Sequence, residues 1–308
     1  MTPRIALAGA VDGAVLRAAG WQVVGALPLT PYDDLADVPS YSDLDDLLRD
    51  ESLHAVALDG SDELVARHLP AVLAAGRHVL LIGPAPLDPD LLAAAREAAD
   101  ASGADVAVAL VQRWEPWALT VAAALQLVGT PVLQATVRGW PRGADAAVEL
   151  VDLARSWCGD VVSVTAAPAP LPAAELGEGM PVAWSLLHES GATTLVSHEG
   201  APPLARLSFA TARLEAGPLG ARWEGGAEIP LLPTPVWETT EPKPATPAGT
   251  PYGLLACAVA LQEGVRRGEL VPGGWPWPAD LGDLQAAGRV LAALRESARA
   301  ESAATVSR

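Results

Sequence analysis

The chain has 308 residues, half of them hydrophobic and 19% charged, and a mean hydropathy of +0.25, which excludes a disordered or fibrous polypeptide. At this length one large domain or two ordinary ones can form without disulfides or metals to staple them. A formal net charge of −17 repels polyanions, so nucleic acids and anionic membrane surfaces are poor candidates for partners.

The longest uncharged stretch, Pro116 to Val137, is cut by Gly129-Thr130-Pro131 before it reaches the ~20 apolar residues of a membrane span. Residues 1–10 carry one arginine and a short apolar run ending at glycine, unlike a secretory leader, so a cytoplasmic location is the expectation. Cys158 and Cys257 lack CxxC spacing and read as buried small hydrophobes. The five histidines, His54, His68, His78, His188 and His198, are scattered, and no zinc motif is present, so no metal is expected. Lys243 is the one lysine of the chain, inside a proline-rich connector.

In chain order, short β-rich runs at 4–8, 22–26, 54–59, 78–82 and 105–111 come first. Helical stretches separate the later ones. Ser42 with Asp45 resembles a capping box ahead of Leu44, Leu47 and Leu48, and Ser61 is placed to cap a helix through Leu64, His68 and Val72 to Ala75, closed by Gly76. Asp88-Pro89 supplies an N-cap and an N1 proline for a helix running toward Gly103. Strands alternating with helices predict a parallel, doubly wound sheet.

From Val132 the period changes: Leu133, Ala135 and Val137 alternate with Gln134, Thr136 and Arg138, the pattern of a sheet with one wet face. After a helix from Asp145 to Trp157, strand signals recur at 161–166, 182–188, 193–198 and 204–211, with Ser190-Gly191 as a turn. They predict an open, mainly antiparallel sheet of sequential hairpins. A proline-rich loop from Pro230 to Pro251 leads to two closing helices. The last has an apolar stripe of Leu284, Ala287, Leu291, Leu294 and Ala298 that packs back toward the N-terminal domain, and residues beyond Ser302 are expected to fray. The predicted organisation is α/β: residues 1–115 as an N-terminal Rossmann-type domain, and 116–308 as a C-terminal α+β domain.

Several segments, in order along nearly the whole chain, resemble the Gfo/Idh/MocA family, the glucose-fructose oxidoreductase and inositol dehydrogenase group. They are Tyr41-Ser-Asp-Leu-Asp-Asp-Leu-Leu48, Ala75-Gly-Arg-His-Val-Leu80, Arg113-Trp-Glu-Pro116, and Asp152-Leu-Ala-Arg-Ser-Trp-Cys-Gly159 followed by Val161-Val-Ser-Val164. The resemblance implies a nicotinamide dinucleotide, NAD(P), in a first-turn GxGxxG cradle whose glycines admit the pyrophosphate. Only Gly9 of that cradle stands here. Ala10 follows it, Val11 and Ala14 fall at the other glycine positions, and Asp12 would set a carboxylate beside phosphate. After the second strand, where such proteins select the ribose, the chain reads Ala26-Leu27-Pro28, with Asp33 or Asp34 as distant substitutes. The Thr-Pro pair implied after strand three corresponds to Gly60-Ser61. The Glu-Lys-Pro motif corresponds to Ile82-Gly83-Pro84, so the implied cofactor-binding lysine is Gly83.

On the helix that the resemblance makes catalytic, the implied Asp-x-x-x-His pair becomes Asp145 and Glu149, four apart and on one face. Read sharply, the pair is an acid/base couple in which repulsion raises one pKa. Read blandly, Asp145 favours the helix dipole and Glu149 is solvated; the bland reading is the commoner fate of acidic pairs. Trp114 and Trp117, at the carboxyl edge of the first sheet, either form an aromatic wall for a small molecule or fill space. Arg113, Trp140 and Arg142 are candidates for the same substrate cleft, whereas Trp275 and Trp277 read as packing of a rigid loop. Three expectations follow. The first is a degenerate oxidoreductase with weak or lost NAD(P) binding that serves as a binding or partner subunit. The second is an active NAD(P)-dependent dehydrogenase or reductase of a sugar, polyol or related small molecule using Asp145 and Glu149. The third is a structural subunit, homo-oligomeric or paired with a catalytic relative through its open C-terminal sheet.

Overall fold

The computed structural model describes residues 2–27, 38–83, 88–139, 144–166, 183–197, 204–224, 228–229, 252–267, 279–300 and 302–306, without the side chains of 64, 65, 144, 145, 228, 229, 252 and 267. The proline-rich loop 230–251, Lys243, Asp33, Asp34, Pro84, Trp140, Arg142, Trp275 and Trp277 lie outside the described residues. By contacts the chain divides into two compact units: Met1–Val111 with Pro235–Gln285, and Gln112–Thr234 with Ala286–Arg308.

The first unit is built on five parallel strands, β1 (Arg4–Ala8), β2 (Gln22–Leu27), β3 (Ala55–Asp59), β4 (His78–Ile82) and β5 (Val106–Val108), in the order β2-β1-β3-β4-β5. β3 is buried along its full length and β1 from Ile5 onward, as expected for parallel strands covered on both faces, whose sequences run apolar instead of alternating. Helices α1 (Gly13–Ala18), α2 (Leu44–Leu48), α3 (Glu63–Ala66), α4 (Leu69–Ala74) and α5 (Pro89–Ser102) connect them. α5 starts as anticipated, with Asp88 accepting from the Asp90 amide, and ends at Gly103 in the left-handed conformation.

Two helix starts differ from the sequence reading. α2 is capped by Asp43, which accepts the Asp46 amide at 2.8 Å, with Ser42 outside the cap. The helix expected from Ser61 to Ala75 is two helices, because Pro70 has no N–H to bond back across the junction and sits in the first turn of α4, where that loss is harmless. Strand five is also shorter than expected, giving way to a 3-10 turn at Val111–Trp114.

The second unit contains a nine-stranded mixed sheet. Its strands are β6 (Gln134–Arg138), β7 (Val161–Ala166), β8 (Ala183–His188), β9 (Thr193–Ser197), β10 (Leu204–Ser208), β11 (Arg213–Gly217), β12 (Gly220–Trp223), β13 (Glu228–Ile229) and β14 (Ala304–Thr305), in the order β13-β12-β11-β10-β6-β9-β8-β7-β14. All neighbours are antiparallel except β6 with β9. The Ser190-Gly191 turn joins β8 to β9, with Gly191 at φ +82 and the Gly191 amide donating to the His188 carbonyl. The segment after Ser302, expected to fray, instead pairs along β7 as β14.

Helices α6 (Pro116–Val128) and α7 (Ala144–Cys158) belong to this unit. They pack against β11, β12 and β9 over a core that includes Ala135, Val137, Trp184, Leu186, Leu207 and Leu214. The opposite face alternates outward as the period of two requires and leaves Leu187 and Leu195 exposed. Two further helices, α8 (Tyr252–Arg267) and α9 (Leu281–Ala300), complete the described structure, and Leu284, Ala287, Leu291 and Leu294 of α9 are buried.

Candidate functional site

In the first unit β2 lies on one side of β1 and β3 on the other. The strand order therefore reverses between β1 and β3, the crevice where open α/β sheets receive ligands at their carboxyl ends. Four sequence-derived residues gather there. Gly9 leaves β1 at φ +88, a conformation that favours glycine, and the Val11 amide donates to its carbonyl at 2.9 Å. The Val11 side chain is buried. Ala10 is exposed, and its amide donates to Asp59 Oδ2 at 3.0 Å. Asp12 accepts the Ala14 amide at 2.8 Å and is thereby the N-cap of α1.

Asp59, at the end of β3, was not singled out from the sequence. Its carboxylate joins the loops after β1 and β3: besides Ala10 it takes the Ser61 amide at 3.0 Å and the Ser61 hydroxyl at 2.6 Å, both on Oδ1. The Asp59 residue is 8% exposed. The Gly60 amide donates to the Ile82 carbonyl at 2.6 Å, and a Cβ added at Gly60 would meet the Leu81 side chain at 2.9 Å. Gly83 has φ +63, and a Cβ built on it would lie 3.5 Å from the Ser61 Cβ and 3.9 Å from Asp59 Oδ1. The readable signal for Asp59 was a lone acid closing an otherwise apolar strand, which burial obliges to find donors.

The second unit gathers a different set. Arg113 was expected to face substrate, yet its guanidinium grips Asp152 of α7 through two bonds of 2.5 Å, Nε to Oδ2 and Nη2 to Oδ1. Glu149 of α7 accepts the Gln112 amide at 3.1 Å and is 9% exposed, which replaces the solvated reading of its carboxylate. Trp114 has 0% exposure and Trp117 is buried, packed edge-to-face on Trp157 with centroids 6.0 Å apart. Of the two readings of these rings, burial favours the space-filling one. Asp145 lies on the first turn of α7, four residues ahead of Glu149; its side chain is outside the described residues.

Asp152 was also missed. α7 is buried nearly all round, through Ala147, Val148, Leu150, Val151, Leu153 and Ala154, so an acid within that run needs a counter-charge. Elsewhere in the unit, burial raises the Glu115 carboxyl above the usual carboxylate range. Burial also holds the His188 imidazole below its usual value. His188 spans the Gly159 carbonyl at Nδ1, 2.6 Å, and Thr194 Oγ1 at Nε2, 2.9 Å. Among the described residues no group of three or more His, Cys, Asp or Glu side chains can hold a metal, and no helix is long and apolar enough to cross a membrane.

The two units carry a doubly wound parallel sheet and a large mixed sheet. The chain has the fold of the Gfo/Idh/MocA-type oxidoreductases over its whole length. It is similar to the aldose-aldose oxidoreductase of Caulobacter crescentus complexed with glycerol, at 16% identity and a TM-score of 0.76 over 99% of this chain and 100% of that one. A second similar structure is an oxidoreductase of Agrobacterium radiobacter in complex with NAD+, L-tartaric acid and magnesium (16% identity, TM-score 0.73, 99% of each chain). A third is the WlbA dehydrogenase of Bordetella pertussis in complex with NADH and UDP-GlcNAcA (17% identity, TM-score 0.73, 100% of this chain and 98% of that one). No protein-family model and no curated relative matches the sequence.

Proposed function

We propose that this protein is a degenerate member of the oxidoreductase group whose fold it shares: it keeps the two-unit scaffold, binds NAD(P) weakly or not at all, and acts as a binding or partner subunit. The observation that carries this reading is the state of the β1–β3 switch point. A dinucleotide needs loop amides that can be approached by its pyrophosphate. Here the loop carries the buried side chain of Val11 and its carboxylate Asp12 sits at the start of α1. Gly83 stands where the resemblance implies the cofactor-binding lysine. The residues present do not fit the group.

The competing reading, an active dehydrogenase or reductase with Asp145 and Glu149 handling the proton, is weakened by Glu149 being engaged with the Gln112 amide. A proton carrier must be within hydrogen-bond reach of its substrate. For the partner role, the exposed Leu187 and Leu195 on the outer face of the mixed sheet favour pairing with a second copy or a related oxidoreductase.

Isothermal titration of the full chain with NADH and NADPH tests the cofactor half. The expected result is no saturation below millimolar concentration, and stoichiometric micromolar binding would overturn it. Native mass measurement, alone and with related oxidoreductases, tests the partner half, for which a clean monomer under every condition is the contrary result.

A further inference from the structure

We infer that Asp59 is the internal anion of the β1–β3 switch point, the residue that sets this crevice against phosphate-bearing ligands. The inference rests on the reading above that dinucleotide affinity is weak or lost, and names the group responsible.

The position comes from topology. β1 and β3 are neighbours on either side of the reversal in strand order, and Asp59 ends the second of them while Ala10 follows the first. The hydrogen bond from the Ala10 amide to Asp59 Oδ2, 3.0 Å, therefore crosses the crevice itself. A carboxylate oxygen and a phosphate oxygen take the same kind of backbone donor, and a donor already engaged is not available to the second anion. Asp59 is tethered to its donors by the chain, so an external phosphate competes against a partner of high effective concentration.

Charge acts in the same direction. With 8% of its surface exposed, Asp59 is poorly screened by water, and two anions drawn to one partly dry site repel strongly. Both oxygens are engaged by the three donors of Ala10 and Ser61, which fixes the carboxylate across the crevice. On the β4 side stands Gly83, whose added Cβ would lie 3.9 Å from Asp59 Oδ1. A glycine at φ +63 supplies no cation there to offset the carboxylate. The crevice so arranged disfavours a ligand that carries phosphate.

The test compares the full-length wild type with Asp59→Asn and Asp59→Ala by isothermal titration against NADH, NADPH and inorganic pyrophosphate, with thermal melts to verify folding. Asn preserves the shape and an acceptor oxygen while removing the charge; Ala also releases the Ala10 amide. The expected result is at least tenfold tighter binding of NADH or NADPH by either variant than by the wild type. If the wild type is silent and both variants fold but stay silent, Asp59 is not the excluding group and this inference fails while the reading of a degenerate protein stands. Micromolar binding by the wild type sinks both. Failure of both variants to fold would make Asp59 a structural clasp alone and overturn the inference too.

Discussion

Replacing Asp152 by alanine is expected to be among the costliest single substitutions in the second unit. Its side chain is 1% exposed and that of Arg113 is 10% exposed, so water does little to screen the pair. Two parallel bonds of 2.5 Å tie the guanidinium to both carboxylate oxygens. Removing the carboxylate strips the buried guanidinium of both of these bonds, at a cost of about 3–5 kcal/mol. Replacing both by apolar groups of similar size removes the buried charge along with its partner, so the double variant Arg113→Met/Asp152→Leu should recover most of that loss. A coupling of about 2 kcal/mol or more is expected from the cycle. The assay is urea unfolding followed by tryptophan fluorescence, in which such a loss moves the midpoint by about 1 M or more. If Asp152→Ala costs less than about 1 kcal/mol and the double variant is no better, the guanidinium is solvated, and Arg113 returns as a candidate for contact with substrate.

Two further expectations follow from packing and titration. A Cβ at Gly253 of α8 would lie 2.1 Å from the Val111 carbonyl oxygen, so Gly253→Ala should force the helix from its seat and cost roughly 1–3 kcal/mol; an unchanged thermal midpoint would show the contact to be loose. Burial lowers the pKa of His188 in the folded chain, so the unfolded chain binds the proton more readily. Stability should therefore decline as pH falls below about 6.5. His188→Gln should flatten that part of the stability profile, and an unaltered slope would assign the dependence to other groups.

The legibility of the fold follows from how local its signals are. β1, β4 and β7 keep the bounds read from the sequence because an apolar run between turn signals is a local pattern. The parallel pairing of β6 with β9 was not legible: the two strands are far apart in the chain, and sequential hairpins are the simpler reading of their alternation. β11 to β13 were missed because they are short and interrupted by Gly217 and Gly220. At the candidate site, the glycines and the loop after β1 could be placed by resemblance. Asp59 and Asp152 could not, because their roles depend on donors 49 and 39 residues away. Arg113, Trp114 and Trp117 carried residue types that serve recognition and cores equally, and their surroundings, which decide between the two, are tertiary.

On the proposed reading, the switch point is closed to a dinucleotide by its own side chains. A crystal structure of the full chain grown with millimolar NADH tests it most directly. The expected electron density shows the Ala10 amide still bonded to Asp59 and no nucleotide over Gly9 to Val11. An ordered pyrophosphate resting on the Ala10 and Val11 amides would contradict it.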